Sequence, residues 1–514
     1  MQRLNRYILA CAIFLLGISS SGQAQLRLSA LSEGQFGDLP GGRAKDMRTF
    51  YNQFYFDYTH AGLRAGLRGE GFAANASGRN YGHLAQRYIH YRRGRLQAAA
   101  GHFYAIAGSG LLAHAFELPG VISEDRGARR RYQIVRDLDG FHLRYSGDKG
   151  EVQLLRGTPV NSTVPPKLTG MDRRQGTVQG GSARWNIAEH FAVGAAGLRY
   201  TGQASDEGGA GLNARLRLAP WLKRWGIAEA YAELYGEYAQ RSIEWSRFFS
   251  LDRDLSRALY LSASTGSGAW GLSLEYKDYQ GFNIDQINNP PTLVREHDAY
   301  LLNRQTHDLL ADDEKGLQAE ITYVLPKGQV LTTNYTRATR RNLAGSADDE
   351  DLRELFLQVE SPIGDDIDAR IFADRHHNRI LGDERSLTFG SLFDWRTSSG
   401  YSFTFDLQYK DINRTFGDLV FPHENAFLSI ETQHINGLAA ALQVQRSNDA
   451  LETGAEFDGP TYWLSISLNW QINERHSANL FWGKRRSGLA CTAGTCYEVL
   501  GFDGIEIRLV NQLF

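Results

Sequence analysis

The sequence contains few of the residues and patterns that characterise several common protein classes. It has only 3 cysteines, 3 methionines and 12 prolines among its 514 residues. Beyond residue 24 it has no apolar run long enough for a transmembrane helix, which needs about 20 residues. The formal net charge of −2 gives no sign of a nucleic-acid partner. A disulfide-rich scaffold, a helical membrane protein and a basic nucleic-acid-binding protein are therefore excluded.

The common catalytic and cofactor-binding motifs are missing as well. There is no Gly-x-Ser-x-Gly elbow, no His-Glu-x-x-His and no phosphate-binding Gly-Lys-Ser/Thr loop. GSGAWG at 266–271 fits a dinucleotide-binding pattern, but it lies between two predicted strands and indicates a hairpin turn. His376 and His377 follow Asp374, and adjacent histidines alone do not define a ligand set. The sequence predicts no cofactor, no metal and no catalytic site.

The first residues have the pattern of a secretory signal peptide. Arg3 and Arg6 precede an apolar run at 8–18, which is too short to span a bilayer. Gly22 and Ala24 form a small-x-small cleavage site before Gln25. We expect a signal peptide over 1–24 and a mature chain of one domain over 25–514.

Alternation of apolar and polar residues runs through the whole mature chain. In YSFTFDLQYK (401–410), aromatic and aliphatic residues occupy one face of a strand, and polar residues occupy the other. The same period occurs at 211–218, 316–325 and 461–472. Such segments also suit one-sided sheets of soluble proteins. Their repetition over the full chain favours a transmembrane barrel with an apolar outer face and a polar lumen.

The connections between these segments alternate in length. Short turns are predicted at 92–95, 147–150, 325–329, 396–400, 435–438 and 472–476. Longer links are predicted at 105–138, 240–257, 282–313, 413–424 and 488–503. The sequence thus predicts an all-β, antiparallel up-and-down barrel of about 24 strands, within a range of 20–26, with short periplasmic turns and long extracellular loops.

The end of the chain resembles known outer-membrane proteins. FWGKRRSGLACTAGTCYEVLGFDGIEIRL is similar to the end of a family of large, functionally unassigned barrels that share Gly-Lys-Arg-Arg, a Cys-x4-Cys hairpin and a last strand opening with Gly. Segments 50–72 and 98–117 resemble the N-terminal strands of that family. The final GIEIRLVNQLF resembles the C-terminal strand whose last aromatic residue, here Phe514, is read by the barrel-insertion machinery. The resemblance implies an integral protein of the bacterial outer membrane.

Two cysteines remain once the predicted signal peptide, with Cys11, is removed. Cys491 and Cys496 are separated by four residues near a predicted hairpin tip. The compartment is oxidising, and facing hairpin positions bring Cβ atoms within disulfide range. No His, Asp or Glu lies between them, which argues against a metal site. We expect a disulfide.

The inward faces of the strands are where a function is expected. Candidate lumen-facing residues are Arg64, Arg68, Arg215, Arg217, Glu229, Tyr231, Glu233, Tyr235 and Glu237. In one interpretation they pair across neighbouring strands and keep the lumen hydrated and rigid. In the other they form an electrostatic filter for permeant solutes.

A 24-stranded barrel is too wide to stay open without leaking. The link 105–138 carries Arg129, Arg130 and Arg131 and is a candidate pore constriction, although these arginines could instead contact lipopolysaccharide phosphates. The favoured function is a loop-constricted passive channel for small polar solutes. The alternatives are a sealed barrel serving a secretion or surface-attachment complex and, third, a barrel enzyme. The expected partners are outer-membrane lipid, lipopolysaccharide and the insertion machinery, with no nucleic acid; the sequence leaves the oligomeric state open.

Overall fold

A computed structural model describes most of the chain beyond residue 23. The described residues are 24–38, 46–75, 79–125, 129–160, 165–166, 174–202, 206–224, 230–242, 256–282, 284, 287–293, 295–304, 313–340, 350–379, 383–449, 460–492 and 495–513. The predicted signal peptide, except for Ala24, and Phe514 lie outside them.

The described chain consists almost entirely of β-strands. The strands of the first half are β1 (Gln25–Asp38), β2 (Met47–His60), β3 (Leu63–Ala74), β4 (Tyr81–Arg93), β5 (Leu96–Phe103), β6 (Ile106–Ala107), β7 (Ala113–His114), β8 (Phe116–Glu124), β9 (Arg131–Arg136), β10 (Leu138–Gly147), β11 (Gly150–Pro159), β12 (Thr177–Ala188), β13 (Phe191–Thr201), β14 (Asp206–Arg217) and β15 (Tyr231–Ser242). Those of the second half are β16 (Arg257–Ser267), β17 (Trp270–Gln280), β18 (Glu314–Val324), β19 (Val330–Arg340), β20 (Glu350–Ile363), β21 (Ile367–Asn378), β22 (Asp383–Arg396), β23 (Tyr401–Phe416), β24 (Leu419–His434), β25 (Leu438–Ser447), β26 (Thr461–Asn473), β27 (His476–Arg485), β28 (Gly488–Thr492), β29 (Thr495–Val499) and β30 (Phe502–Gln512).

In the described part of the chain, two short helices interrupt the strands. They are α1 (Ala219–Arg224) and α2 (Tyr300–Asn303). Within the described ranges, no helix is long and apolar enough to cross a membrane.

Twenty-four of the strands form one closed antiparallel barrel, as the sequence predicted. Each barrel strand pairs with its neighbours along the chain, and β5 pairs with β10 across the intervening link. The first and last strands close the sheet, because β1 pairs with both β2 and β30. At this seam Glu33 lies opposite Arg508. Closure leaves no unpaired edge, which is the condition for strands to face lipid.

The outer face of the barrel is apolar along every second position. On β30, Ile505, Ile507 and Leu509 are about 40% exposed, whereas Glu506 between them is 6% exposed. On β23, Leu407 is exposed and Lys410 is fully buried. The apolar residues of the predicted alternation therefore face lipid, and the polar residues between them face inward. This arrangement is that of a transmembrane barrel.

The two ends of the barrel differ in their connections. One end, here called the turn end, has short turns such as those between β4 and β5, β10 and β11, and β26 and β27. The other, the loop end, carries the long links between β5 and β10, β17 and β18, and β27 and β30. The predicted long link at 413–424 is wrong: β23 extends to Phe416 and β24 begins at Leu419, so Pro422 lies within a strand opposite Asn413.

The last long link folds into the hairpin β28–β29. Cys491 and Cys496 lie opposite one another in its register. Their side chains lie outside the described part of the structure, so the disulfide stays a prediction.

Candidate functional site

The link between β5 and β10 folds into the barrel lumen. Its hairpin β8–β9 contacts the inner wall at β2 and β3. Gln53 Nε2 donates to Gln133 Oε1 at 2.8 Å, and the Gln133 backbone N–H donates to Glu70 Oε1 at 2.8 Å. Arg68 Nη1 donates to Glu117 Oε1 at 2.7 Å. The hairpin is thus fixed to one side of the lumen by buried polar contacts.

Arg131 on β9 connects the hairpin to the seam where the barrel closes. Its guanidinium contacts the Glu33 carboxylate on β1 and lies 2.9 Å from Glu506 Oε2 on β30. Glu33 is 1% exposed and also accepts a hydrogen bond from Arg508 Nε at 2.5 Å. Arg485 adds a second positive charge 3.3 Å from Glu506. The seam therefore holds two buried acids among three arginines, of which Arg131 is buried and Arg485 and Arg508 are partly exposed.

The two neighbouring arginines have separate partners. Arg129 Nε lies 2.5 Å from Glu124 Oε1, and Arg129 Nη2 donates to a backbone carbonyl of the last long link. The Arg130 backbone N–H donates to Asp125 Oδ2 at 2.9 Å. All three arginines are buried, at 5–8% exposed. The structure thus places the predicted positive cluster inside the barrel, with acids beside it.

The first part of this link reaches the opposite wall. Leu111 and Leu112 are fully buried, and the Ser109 backbone N–H donates to Glu237 Oε2 on β15 at 2.6 Å. A Cβ added at Gly209 would lie 2.5 Å from a Leu112 methyl group, so this glycine permits the close approach. The apolar cluster around these leucines comprises Phe103, Ala105, Ala107, Leu111, Leu112, Ala113, Leu138, Leu155, Val178, Leu198, Tyr200, Ala239, Ala258, Tyr260, Tyr279, Phe282, Ile284 and Ile287. The link spans the lumen from seam to far wall.

A second link, between β17 and β18, also enters the lumen. Ile287 accepts a backbone hydrogen bond from His114 of the first link at 2.9 Å. Further along, the Tyr300 ring of α2 stacks on Phe427 of β24 with centroids 4.2 Å apart. Arg304 donates to the Ser487 carbonyl at 2.9 Å. The two links therefore contact each other and together cross the barrel near its loop end.

The candidate lumen-facing residues near the turn end are open to water. The side chains of Arg64, Arg215 and Arg217 are 56%, 43% and 58% exposed. Glu233 lies within 3.4 Å of Arg215 and 3.2 Å of Arg217, which is the cross-strand pairing expected of a rigid lumen. Tyr231 is 55% exposed where β15 begins. A hydrated vestibule thus lies on the turn-end side of the two links.

The other predicted lumen residues lie deeper. Tyr235 donates to Glu237 Oε2 at 2.5 Å, and Glu237 is 3% exposed beneath the first link. Arg68 is likewise 3% exposed. Glu229 lies outside the described residues. The predicted set therefore divides into a hydrated group and a group covered by the link.

Burial changes the acidity of two groups on the hairpin, which is not one of the membrane-spanning strands. It raises the pKa of the Glu124 carboxyl from its ordinary 4.5 to about 7. The positive charges of Arg129 and Arg485 oppose this rise, and the negative charges of Glu506 and Asp125 add to it. It lowers the pKa of Arg131 to about 10, against the attraction of Glu506. Glu124 is therefore the hairpin carboxyl that changes its charge near neutral pH.

We expect docking of the hairpin to weaken as pH rises. A docked hairpin binds the Glu124 proton more tightly than a free hairpin does. Protonation of Glu124 therefore stabilises docking fully below pH 4.5, and this stabilisation is lost as the pH rises towards about 7. Hydrogen exchange at β8–β9, corrected for the intrinsic pH dependence, should show less protection at about pH 8 than at about pH 5. Glu124→Gln should remove this difference. Equal protection of the unaltered protein at both pH values would contradict the expectation.

Sequence reasoning missed the acids that hold the arginines. Glu33 and Glu506 lie on the first and last barrel strands, far from Arg131 in sequence. Glu506 alternates with Ile505 and Ile507, which signals an inward direction. Glu33, in contrast, lies between Ser32 and Gly34 and gives no such signal. Only the closing register brings the two acids together. It also missed the buried pair between Lys277 Nζ and Glu314 Oε1, 2.5 Å apart.

One group of described side chains has the composition of a metal site. The group consists of Glu354 on β20 together with Asp374 and His376 on β21. Each residue has one possible ligand atom, and these atoms lie within 4.8 Å of one another. All three are buried beneath the second link.

Comparisons with known proteins find one matching family. Residues 13–358 match the sequence profile described as "Family of unknown function (DUF6029)". No curated protein matches the chain.

Solved structures of barrels are similar at low sequence identity. The translocation pore of the P pilus usher PapC aligns at 10% identity over 95% of this chain and 99% of its own, with a TM-score of 0.47. OpdQ of Pseudomonas aeruginosa aligns at 12% identity over 73% of this chain and 98% of its own, with a TM-score of 0.40. OccAB1 of Acinetobacter baumannii aligns at 13% identity over 72% and 95%, with a TM-score of 0.40.

Proposed function

The chain belongs to the DUF6029 family, and we propose that it is an outer-membrane channel whose two inward-folded links restrict passive diffusion of small polar solutes. The observation that carries this proposal is the contrast along the lumen axis. Inward charges beneath the links, such as Glu33 and Glu237, are nearly inaccessible, whereas Arg64, Arg215 and Arg217 at the turn end are hydrated.

The width of the barrel supports a restricting role for the links. Barrel diameter grows with strand number, and barrels of 16–18 strands already enclose an aqueous channel. A wall of 24 strands therefore needs an internal obstruction if it is not to leak. The links supply one, because they contact the wall on opposite sides and contact each other.

The hydrated charges of the lumen favour small polar cargo over large apolar cargo. Exposed arginines, among them Arg64, Arg215 and Arg217, line the turn-end side of the lumen, and rings of charge select solutes by sign. In this proposal, the vestibule at the turn end faces the periplasm and the links face the cell exterior. Lipid contacts the apolar outer rows, lipopolysaccharide surrounds the loop end, and the insertion machinery reads the last strand, β30.

The apolar cluster favours a second candidate, a sealed barrel that serves a secretion or surface-attachment complex. Leu111, Leu112 and Phe282 are fully buried within the lumen. Burying a leucine or phenylalanine side chain contributes about 1.5–3 kcal/mol, so this part of the link is firmly seated. In a sealed barrel the links would stay closed, and the charges beneath them would be purely structural.

Planar-bilayer recording separates the two candidates. Purified full-length protein, shown to be folded by its heat-modifiable migration on gels, should give small, stepwise, salt-dependent openings if it is a channel. Its conductance should be well below that of an unobstructed barrel of this width. Folded protein that inserts but gives no openings would refute the channel and favour the sealed barrel.

A further inference from the structure

Three inward side chains of β20 and β21 lie together beneath the second link. Glu354 is the direct cross-strand partner of His376, and Asp374 lies two residues before His376 on the same face. Their ligand atoms are within 4.8 Å of one another. Ligand atoms bound at about 2.0–2.2 Å in a tetrahedral arrangement lie about 3.3–3.6 Å apart, so the three side chains must move closer together by up to about 1.5 Å to bind one ion.

Three of the four carboxylate oxygens in this group lack a hydrogen-bond partner among the described residues. Asp374 is 1% exposed, and neither of its oxygens has a hydrogen-bond partner among the described residues. Glu354 is 4% exposed, and within the same part of the chain its Oε2 has no hydrogen-bond partner. A buried carboxylate without hydrogen bonds is costly, and a bound cation compensates it. We propose that Glu354, Asp374 and His376 bind one divalent transition-metal ion.

His297 of the second link contacts Glu354, one of these three residues. Its Nε2 lies 2.8 Å from Glu354 Oε1, and its ring is 4.6 Å from that of Phe356. A histidine that donates a hydrogen bond to a ligating carboxylate orients the ligand for the metal. The ion would therefore be coupled to the second link through Glu354, although that link provides none of the three ligands.

Lys410 sets the charge of the site. Its ammonium is fully buried and has no hydrogen-bond partner among the described side chains. In the strand register, Thr388 lies between Lys410 and Asp374. With neutral histidines, two carboxylates and one ammonium leave a net charge of −1, which still attracts a divalent cation. Without a metal, Lys410 would itself be the main counter-charge of the two acids.

The ligand atoms define the chemical class of the ion. One imidazole nitrogen with two carboxylates suits Zn²⁺, Mn²⁺ or Fe²⁺, whereas Mg²⁺ and Ca²⁺ prefer oxygen ligands alone. Zn²⁺ is the practical probe, because it has no redox chemistry and accepts both ligand types.

The test is metal binding by the full-length, folded barrel in detergent, purified without a histidine tag. After treatment with a chelator and dialysis against micromolar Zn²⁺, elemental analysis should find one tightly bound Zn²⁺ per chain. Asp374→Asn and His376→Gln should each lower the Zn²⁺ affinity about tenfold or more, with migration on unboiled gels confirming folding. Lys410→Met should raise the affinity, because it removes the competing positive charge.

His377→Gln is the matched control, since His377 is the next residue on β21 and points to the opposite face. It should bind Zn²⁺ as the unaltered protein does. The proposal is overturned if folded protein retains no stoichiometric Zn²⁺. It is equally overturned if the control loses as much affinity as Asp374→Asn, since Zn²⁺ would then bind elsewhere among the 14 histidines.

Discussion

Replacing residues 116–136 with a short Gly-Ser segment should raise single-channel conductance more than about twofold and shift selectivity towards cations. The replacement removes the hairpin β8–β9, including Arg129, Arg130 and Arg131, which fills the lumen beside the seam. It also leaves Glu33 and Glu506 without their Arg131 partner, so the widened passage would gain negative charge. Reversal potentials in asymmetric salt measure the shift, which should be largest at low ionic strength because salt screens charges over about 10 Å at 0.1 M.

A charge-only variant separates the steric contribution of the hairpin from its electrostatic one. Replacing Arg129 and Arg130 with glutamine leaves Arg131 at the seam and retains most of the bulk of the segment, so it should shift selectivity with a smaller change in conductance. Both variants must first show the heat-modifiable migration of a folded barrel. Unaltered conductance and selectivity after the replacement of 116–136 would place the hairpin outside the conduction path.

The barrel itself could be predicted from the sequence because its determinants are local. Each strand carries its own two-residue alternation, as in 401–410, and the short turns set the boundaries. The same local reasoning failed at 413–424, where polar residues and Pro422 suggested a link. These residues instead extend the hairpin β23–β24, and Pro422 lies near the start of β24, where a missing N–H costs little.

The candidate site could be predicted only in part, because it depends on contacts between distant segments. Arg129–Arg131 and the inward link were recognisable from length, charge and barrel width. The partners of Arg131 were not, since Glu33 and Glu506 come from opposite ends of the chain and meet only through barrel closure. Likewise, the sequence predicted no metal at Asp374 and His376, because Glu354 joins these two residues only through the register of β20 with β21.

Arg131→Met should release the hairpin from the seam with a much larger effect than removal of an exposed charge. The substitution retains an unbranched side chain but leaves Glu33 and Glu506 as buried acids without their Arg131 partner. Removing one partner of a buried ion pair typically costs 3–5 kcal/mol, roughly a hundredfold or more in the ratio of docked to undocked hairpin. Hydrogen exchange at β9 should therefore accelerate strongly, while exchange in the barrel strands far from the seam stays unaltered. If the protein conducts, current noise should rise as the hairpin leaves and returns.

Arg144→Met is the matched control for this substitution. Arg144 also pairs with a glutamate, Glu151, at 2.6 Å, but its side chain is 41% exposed near the turn end. Exposed pairs contribute about 0–1 kcal/mol, so exchange at β9 should be unaffected by this control. Arg131→Lys should restore part of the protection lost in Arg131→Met, because lysine retains the charge but cannot bridge both acids with a planar guanidinium. The prediction fails if β9 is equally protected from hydrogen exchange in Arg131→Met and in the unaltered protein. In that case, the contacts of Gln133 and Glu117 with the wall would suffice to hold the hairpin.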